Sequence, residues 1–135
     1  MNIYFSASIR AGRENAQVFE YLVKLLSKYG KVLTEHIGDV TLPEHGESKD
    51  IKYIYKRDMN WIKKCDLFIA EVSTPSTGVG YELRFAEELG KPVLCLYNEN
   101  SPKKLSGMIE GNPNIRTIQY STLKDLGSQL IAFLN

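Results

Sequence analysis

Leu67-Phe68-Ile69-Ala70-Glu71-Val72 is a short, almost wholly apolar run. The turn-rich stretch Ser73-Thr74-Pro75-Ser76-Thr77-Gly78 follows, and then Val79, Leu83, Ala86 and Leu89 recur at helical spacing up to Gly90. A buried strand, a loop of hydroxyls and glycine, and a helix stopped by glycine are the building unit of a parallel sheet covered on both faces. The pattern extends in both directions. Upstream, Ile3 to Ser6 reads as a first strand, and Val18, Leu22, Leu25, Leu26 and Tyr29 form a helix for which Gly30 is a stop. Lys31 to Thr34 is a short second strand, Glu35 to Asp50 reads as loop around Gly38, Pro43 and Gly46, and Ile51 to Lys64 as a helix. Downstream, Pro92 to Tyr97 and Ile115 to Gln119 are strands, separated by loop with one helical turn near Leu105 to Ile109. A last helix carries Leu123, Leu126, Leu130, Ile131 and Leu134, with Thr122 and Asp125 resembling a capping box. The expected fold is α/β: a single doubly wound domain spanning residues 1–135, with a five-stranded parallel sheet of the flavodoxin/Rossmann-like kind.

The 135 residues are 43% hydrophobic and 24% charged, a soluble globular composition. Lysine plus arginine number 17 against 16 acidic residues, a net charge of +1, which argues against a nucleic-acid polymer as partner. Cys65 and Cys95 sit in or beside apolar runs with no metal-ligand spacing, so they read as reduced, buried thiols of a cytoplasmic protein. No apolar stretch approaches the ~18 residues of a membrane span, and Met1-Asn2-Ile3-Tyr4-Phe5 lacks the character of a secretion signal. No metal or cofactor is called for.

Ligands of doubly wound sheets bind beyond the carboxyl ends of the strands. The segments to inspect are therefore Ser6 to Arg13, Ser73 to Gly80 and Asn98 to Gly111. Two carboxylates attract attention. Asp58 lies amid Ile51, Ile54, Tyr55, Trp61 and Ile62, on the stripe of its helix that faces the sheet. Glu82, between Val79 and Ala86, lies on the inward side of the next helix, in what reads as its first turn, where the helix dipole favours an anion. A structural reading of each is open: Asp58 paired with Arg57 or a lysine, Glu82 a simple helix-start acid. Taken together, two inward acids suit acid/base or nucleophilic work at a glycosidic carbon. Asp58 among aromatics is expected to hold its proton, and Glu82 near amide dipoles to be ionised.

Ser6-Ala7-Ser8-Ile9-Arg10-Ala11-Gly12-Arg13 offers small residues, hydroxyls and Arg10 for an anion, and Ser76-Thr77-Gly78-Val79-Gly80 repeats the style. Neither is a Walker loop or a dinucleotide fingerprint. Lys103-Lys104-Leu105-Ser106-Gly107 is a candidate third edge. His36 and His45 read as loop surface, and Tyr4 and Trp61 as core.

Ile3 to Arg10 with Gly12-Arg13, Val32 to His36, Arg57-Asp58 with Trp61, Ala70-Glu71-Val72, Pro75-Ser76, Gly78 to Leu83, Gly90-Lys91, Leu94-Cys95-Leu96 and Leu105 to Ile109 together resemble the 2'-deoxynucleoside 5'-monophosphate N-glycosidases. These Rcl-like enzymes belong to the nucleoside 2-deoxyribosyltransferase superfamily. The resemblance implies hydrolysis of the bond between base and deoxyribose. It implies that Glu82 attacks or stabilises C1', that Asp58 handles the proton on the base side, and that Tyr4 positions the glutamate. It places the 5'-phosphate at Ser8, Arg10, Ser76 and Gly78, with Ser106 reaching it from the other subunit of a homodimer and Met108 beside it. Ile9 and His36 match positions near sugar and base. Ala7 stands where mammalian members have glycine and Ser6 where they have cysteine; the stretch from Gly38 to Lys49 differs most. Alternatives are a nucleoside 2-deoxyribosyltransferase, a ribonucleotide N-glycosidase of the CMP type, and a non-catalytic nucleotide-binding module.

Overall fold

The structure, a computed structural model, describes residues 1–8, 15–43 and 46–135. Five strands, β1 (Asn2–Ala7), β2 (Lys31–Val32), β3 (Leu67–Glu71), β4 (Val93–Asn98) and β5 (Arg116–Tyr120), form one sheet in the order β2-β1-β3-β4-β5, every pair parallel. This is the flavodoxin-like winding, in which the chain reverses direction between β1 and β3. Among the described residues, five α-helices connect or flank the strands: α1 (Ala16–Leu26), α2 (Ile51–Lys64), α3 (Thr77–Glu88), α4 (Gly107–Glu110) and α5 (Leu123–Leu134).

Two-residue alternation along the strands sorts the core into two layers. Ile3, Phe5, Leu67, Ile69, Leu94 and Leu96 pack with Leu22, Leu26, Leu126 and Leu130 of α1 and α5. Tyr4, Phe68, Ala70 and Cys95 face the other way, onto Met59 and Ile62 of α2 and Val79, Leu83 and Ala86 of α3. Register pairs Tyr4 with Phe68 across β1 and β3, and their rings stack with centroids 5.3 Å apart. Cys65 and Cys95 are both free and buried. No helix among the described residues is long and apolar enough to cross a membrane.

Several local details differ from the expected ones. Strand β2 is only two residues long because Thr34 leaves the ladder: its hydroxyl donates to the Phe5 carbonyl at 2.6 Å and accepts from the Phe5 amide at 3.0 Å. The segment that follows is not plain loop but opens with a 3-10 turn, Glu35–Gly38, that buries Ile37. Gly30 keeps a negative φ, so it is not a left-handed cap; a Cβ there would lie 2.4 Å from the Met1 carbonyl oxygen. Gly90, at φ 73°, is the left-handed stop expected after α3. Thr122 caps α5 through the Asp125 amide at 3.1 Å, but Asp125 returns to the Ser121 amide at 3.0 Å rather than to that of Thr122.

One buried carboxylate ties together the loops at the carboxyl edge. Glu71, 3% exposed at the end of β3, accepts from the Ser73 amide at 2.7 Å, the Ser73 hydroxyl at 2.9 Å and the Tyr120 hydroxyl. Ser73 Oγ in turn accepts from the Asn98 amide at 2.8 Å, and the Ser73 carbonyl accepts from Ser101 Oγ at 2.8 Å. Burial pushes the Glu71 carboxyl above its ordinary value, against the pull of these donors. Replacing Glu71 with leucine strands the Ser73 and Tyr120 donors in a dry setting. We expect Glu71→Leu to lower unfolding free energy by about 2–4 kcal/mol, read by denaturant titration, and Glu71→Gln by less; an unchanged midpoint for the leucine variant would show that the clamp does not matter.

Candidate functional site

At the carboxyl edge of β1 and β3 the sheet opens into a cavity of about 460 Å³. Tyr4, Ser8, His36, Asp58, Ser76, Gly78 and Glu82 all line it. Seven of the sequence-derived candidates thus meet in one place. Each strand or helix contributes for a simple reason. Tyr4 and Ser6 are two apart on β1 and so share the face covered by α2 and α3. Asp58 is half-buried on α2, four after Ile54 and four before Ile62, and Glu82 is half-buried on α3, one turn after Gly78.

Glu82 is the most tightly held of these groups. Its Oε2 accepts from the Tyr4 hydroxyl and its Oε1 from Ser6 Oγ at 3.1 Å. Burial raises its pKa to about 7; the two hydroxyls pull down, the neighbouring Asp58 charge pushes up, and Arg57 pulls down. This corrects the expectation that amide dipoles keep Glu82 readily ionised. Helix α3 begins at Thr77, capped by Ser76 Oγ accepting from the Val79 amide at 3.3 Å, so Glu82 lies in the second turn, beyond the reach of most of the dipole. Desolvation therefore dominates and both acids move upward, Asp58 by burial against the pull of Arg57.

Asp58 combines the two readings left open for it. It faces the cavity, and it also pairs with Arg57, Nε to Oδ1 at 3.0 Å. The inward stripe of α2 is not the one expected: Ile51 and Tyr55 are exposed, at 70% and 53%, and Met59 is buried in their place. Trp61 packs under the Arg57 guanidinium, 4.5 Å from the ring centroid, and 6.2 Å from the His36 ring. His36, expected at the surface, lies on the cavity wall, its pKa lowered by burial.

Ser76 and Gly78 stand at the start of α3 on the cavity side. A Cβ on Gly78 would meet only Ser76 Oγ at 3.9 Å, so the protein's own packing does not demand glycine there. Ser106 and Met108 are not at this cavity. They line a second one of about 740 Å³ on the far side of Pro75 to Val79, together with Lys104, and Met108 is 85% exposed. Ile9, Arg10 and His45 lie outside the described residues. Sequence reading missed Ser6 as a Glu82 donor, though the alternation that places Tyr4 also places Ser6. It also missed Glu47, which comes from the loop with no periodicity to read.

The chain belongs to the nucleoside 2-deoxyribosyltransferase family. That family's model matches residues 3–116. The chain is 50% identical over 114 residues to a Nematostella vectensis protein that carries the provisional name 2'-deoxynucleoside 5'-phosphate N-hydrolase 1, covering 83% of this chain and 78% of the relative. It is 46% identical over 112 residues to the Mus musculus 5-hydroxymethyl-dUMP N-hydrolase, covering 82% of this chain and 65% of the mouse protein. Among solved structures, Clostridium botulinum CMP N-glycosidase superposes with a TM-score of 0.68 at 23% identity, over 97% of this chain and 99% of the other, which shows a shared fold.

The raised Glu82 carboxyl makes a pH prediction. An acid with a pKa of about 7 is ionised above that value, so a reaction using the Glu82 carboxylate loses rate as pH falls through about 7 rather than through the ordinary 4.5. Tyr4→Phe and Ser6→Ala each remove a donor that favours the ionised form. Each should move this acid limb upward by about one unit, measured as rate against pH; a limb that stays near 7 in both would detach the two hydroxyls from Glu82 ionisation.

Proposed function

We propose that this protein hydrolyses the N-glycosidic bond of 2'-deoxynucleoside 5'-monophosphates, giving free base and 2-deoxyribose 5-phosphate. The observation that carries the reading is the meeting of Glu82 and Asp58 on one cavity whose rim is the hydroxyl- and glycine-bearing start of α3. The relatives' names add the substrate class.

In this reading the Glu82 carboxylate attacks C1' as the bond from C1' to the base nitrogen breaks. Asp58 gives its proton to the departing base. Water then adds to C1', its proton passing to the Asp58 carboxylate, and the Glu82 carboxylate is released. The one active arrangement has Glu82 ionised and Asp58 protonated. Each charge raises the other acid's pKa, since like charges on one cavity wall oppose each other, and the two titrate as a coupled pair. Tyr4 and Ser6 hold the nucleophile by its two oxygens and keep it from rotating away. The carboxylate they hold is reactive because burial has stripped it of water.

The 5'-phosphate is assigned to Ser8, Ser76 and the chain at Gly78, with Arg10 as the cation. The positive end of α3 and the Ser76 hydroxyl suit an anion. His36 and Ile9 are assigned to the sugar and base. Ser106 and Met108, which line the adjoining cavity and not the one holding Glu82, are assigned to the cavity of a second copy in a homodimer, where Ser106 adds a phosphate contact. A water-soluble, cytoplasmic setting fits the small-molecule substrate.

The direct test is release of free base from a panel of nucleoside monophosphates that includes 5-hydroxymethyl-dUMP, matched ribonucleotides and matched nucleosides without phosphate. Glu82→Gln should fold normally and lose turnover on the order of a thousandfold or more; near-native base release by that variant would refute the role of Glu82. Transfer of deoxyribose to an added acceptor base, in preference to water, would assign the chain to transfer rather than hydrolysis. Arg10→Ala should abolish the preference for phosphorylated over unphosphorylated substrate. An equal fall on both would make Arg10 structural.

A further inference from the structure

The acid on α2 does not stand alone. Arg57 Nη1 and Nη2 donate to the two carboxylate oxygens of Glu47 at 2.7 and 2.6 Å, a two-pronged pair. The same guanidinium reaches Asp58 Oδ1 from Nε at 3.0 Å and from Nη2 at 2.9 Å. His36 Nε2 lies 3.5 Å from Glu47 Oε2. The Arg57, Glu47 and Asp58 side chains are only 10%, 16% and 20% exposed, so these contacts are poorly screened by water.

Helix geometry makes the Arg57–Asp58 contact unusual. Residues adjacent in sequence on a helix diverge and do not face each other. A guanidinium that folds back onto its immediate neighbour needs an outside constraint. Two are visible: the Trp61 ring, one turn on, beneath the guanidinium at 4.5 Å, and the Glu47 carboxylate, which occupies its outer edge. The ring supplies a surface but no direction. The two-pronged pair supplies the direction.

We propose that Glu47 is a positioning residue for the reaction. Its pair with Arg57 fixes the guanidinium that holds Asp58 at the base side of the cavity, so the segment after the 3-10 turn and the acid on α2 form one device. This rests on the reading of Asp58 as the proton donor. Glu47 lines the cavity beside His36 and acts through Arg57, touching Asp58 only by its charge.

The device sets charge as well as orientation. The groups facing Asp58 are Arg57 on its own helix, Tyr4 of β1, Glu82 of α3 and Glu47 of the loop; His36 acts across Glu47, as does Lys49. Arg57 favours the Asp58 carboxylate, and Glu47 favours its protonated form, directly and by neutralising Arg57. The two substitutions therefore have opposite signs. Glu47→Gln leaves Arg57 uncompensated, so Asp58 loses its proton at lower pH; Arg57→Gln does the reverse.

The experiment is the rate of base release from 5-hydroxymethyl-dUMP against pH, for the full chain and for Glu47→Gln, Arg57→Gln, Glu47→Asp and Asp58→Asn, with thermal midpoints alongside. Glu47→Gln should lower kcat on the order of tenfold with KM changed by less than about threefold, because orientation rather than substrate contact is lost. Its basic limb should move down by about half a unit to one unit, and that of Arg57→Gln should move up by a similar amount. Glu47→Asp keeps the charge but withdraws the carboxylate by one methylene, so its kcat should fall while its limb stays near the native position. Basic limbs that stay in place in both glutamine variants, with loss only of amplitude or thermal midpoint, would overturn the proposal and leave Glu47 a clamp on the fold. The role of Asp58 is separated by its own variant. An inactive Asp58→Asn with unmoved limbs in the others defeats the proposal alone, whereas native turnover in Asp58→Asn defeats both.

Discussion

A carboxylate deprived of water must find donors or take up a proton, and Glu82 does some of each. Its two oxygens are met by hydroxyls from one strand, Tyr4 and Ser6, while burial lifts its pKa to about 7. The rest of the site depends on that compromise. A more fully solvated Glu82 would titrate as an ordinary carboxylate; a more fully buried one would be protonated throughout the neutral range. The sheet supplies the middle ground because Glu82 meets β1 near its carboxyl end, where the β1–β3 edge opens to the cavity.

The same edge is kept in shape by a second acid with a different purpose. Glu71 gathers Ser73, Tyr120 and, through Ser73, the segments at Asn98 and Ser101. It is more deeply buried than Glu82, and its donors come from the loop and strands around it. The two acids show that burial of a carboxylate alone does not place it at a cavity. What separates them is which side of the group is open to a ligand: Glu71 is enclosed by its donors, and Glu82 is part of a wall.

The segment between the 3-10 turn and α2 gains significance from the structure. Its sequence has no period, and its composition suggests connection only. Yet Glu47 stands against Arg57, and His36 and Ile37 line the cavity with it. Through the Arg57 guanidinium that also reaches Asp58, this stretch is tied to the acid on α2.

The order of strands and helices, the two-sided burial of the sheet and the inward placement of Asp58 and Glu82 were legible in the sequence, because each rests on periodicity along a single element. Which acids share a cavity was not, since that depends on how α2 and α3 sit over β1, and spacing along a chain carries no distance between elements. The start of α3 at Thr77 and the length of β2 turned on single hydroxyl contacts, Ser76 to Val79 and Thr34 to Phe5, that compete with backbone pairing only once the chain is folded. The pKa of Glu82 went against the sequence reading for the same reason: the dipole is a property of one helix, whereas desolvation is imposed by everything packed around it. Local pattern decided what each element is; tertiary contact decided what its polar groups feel.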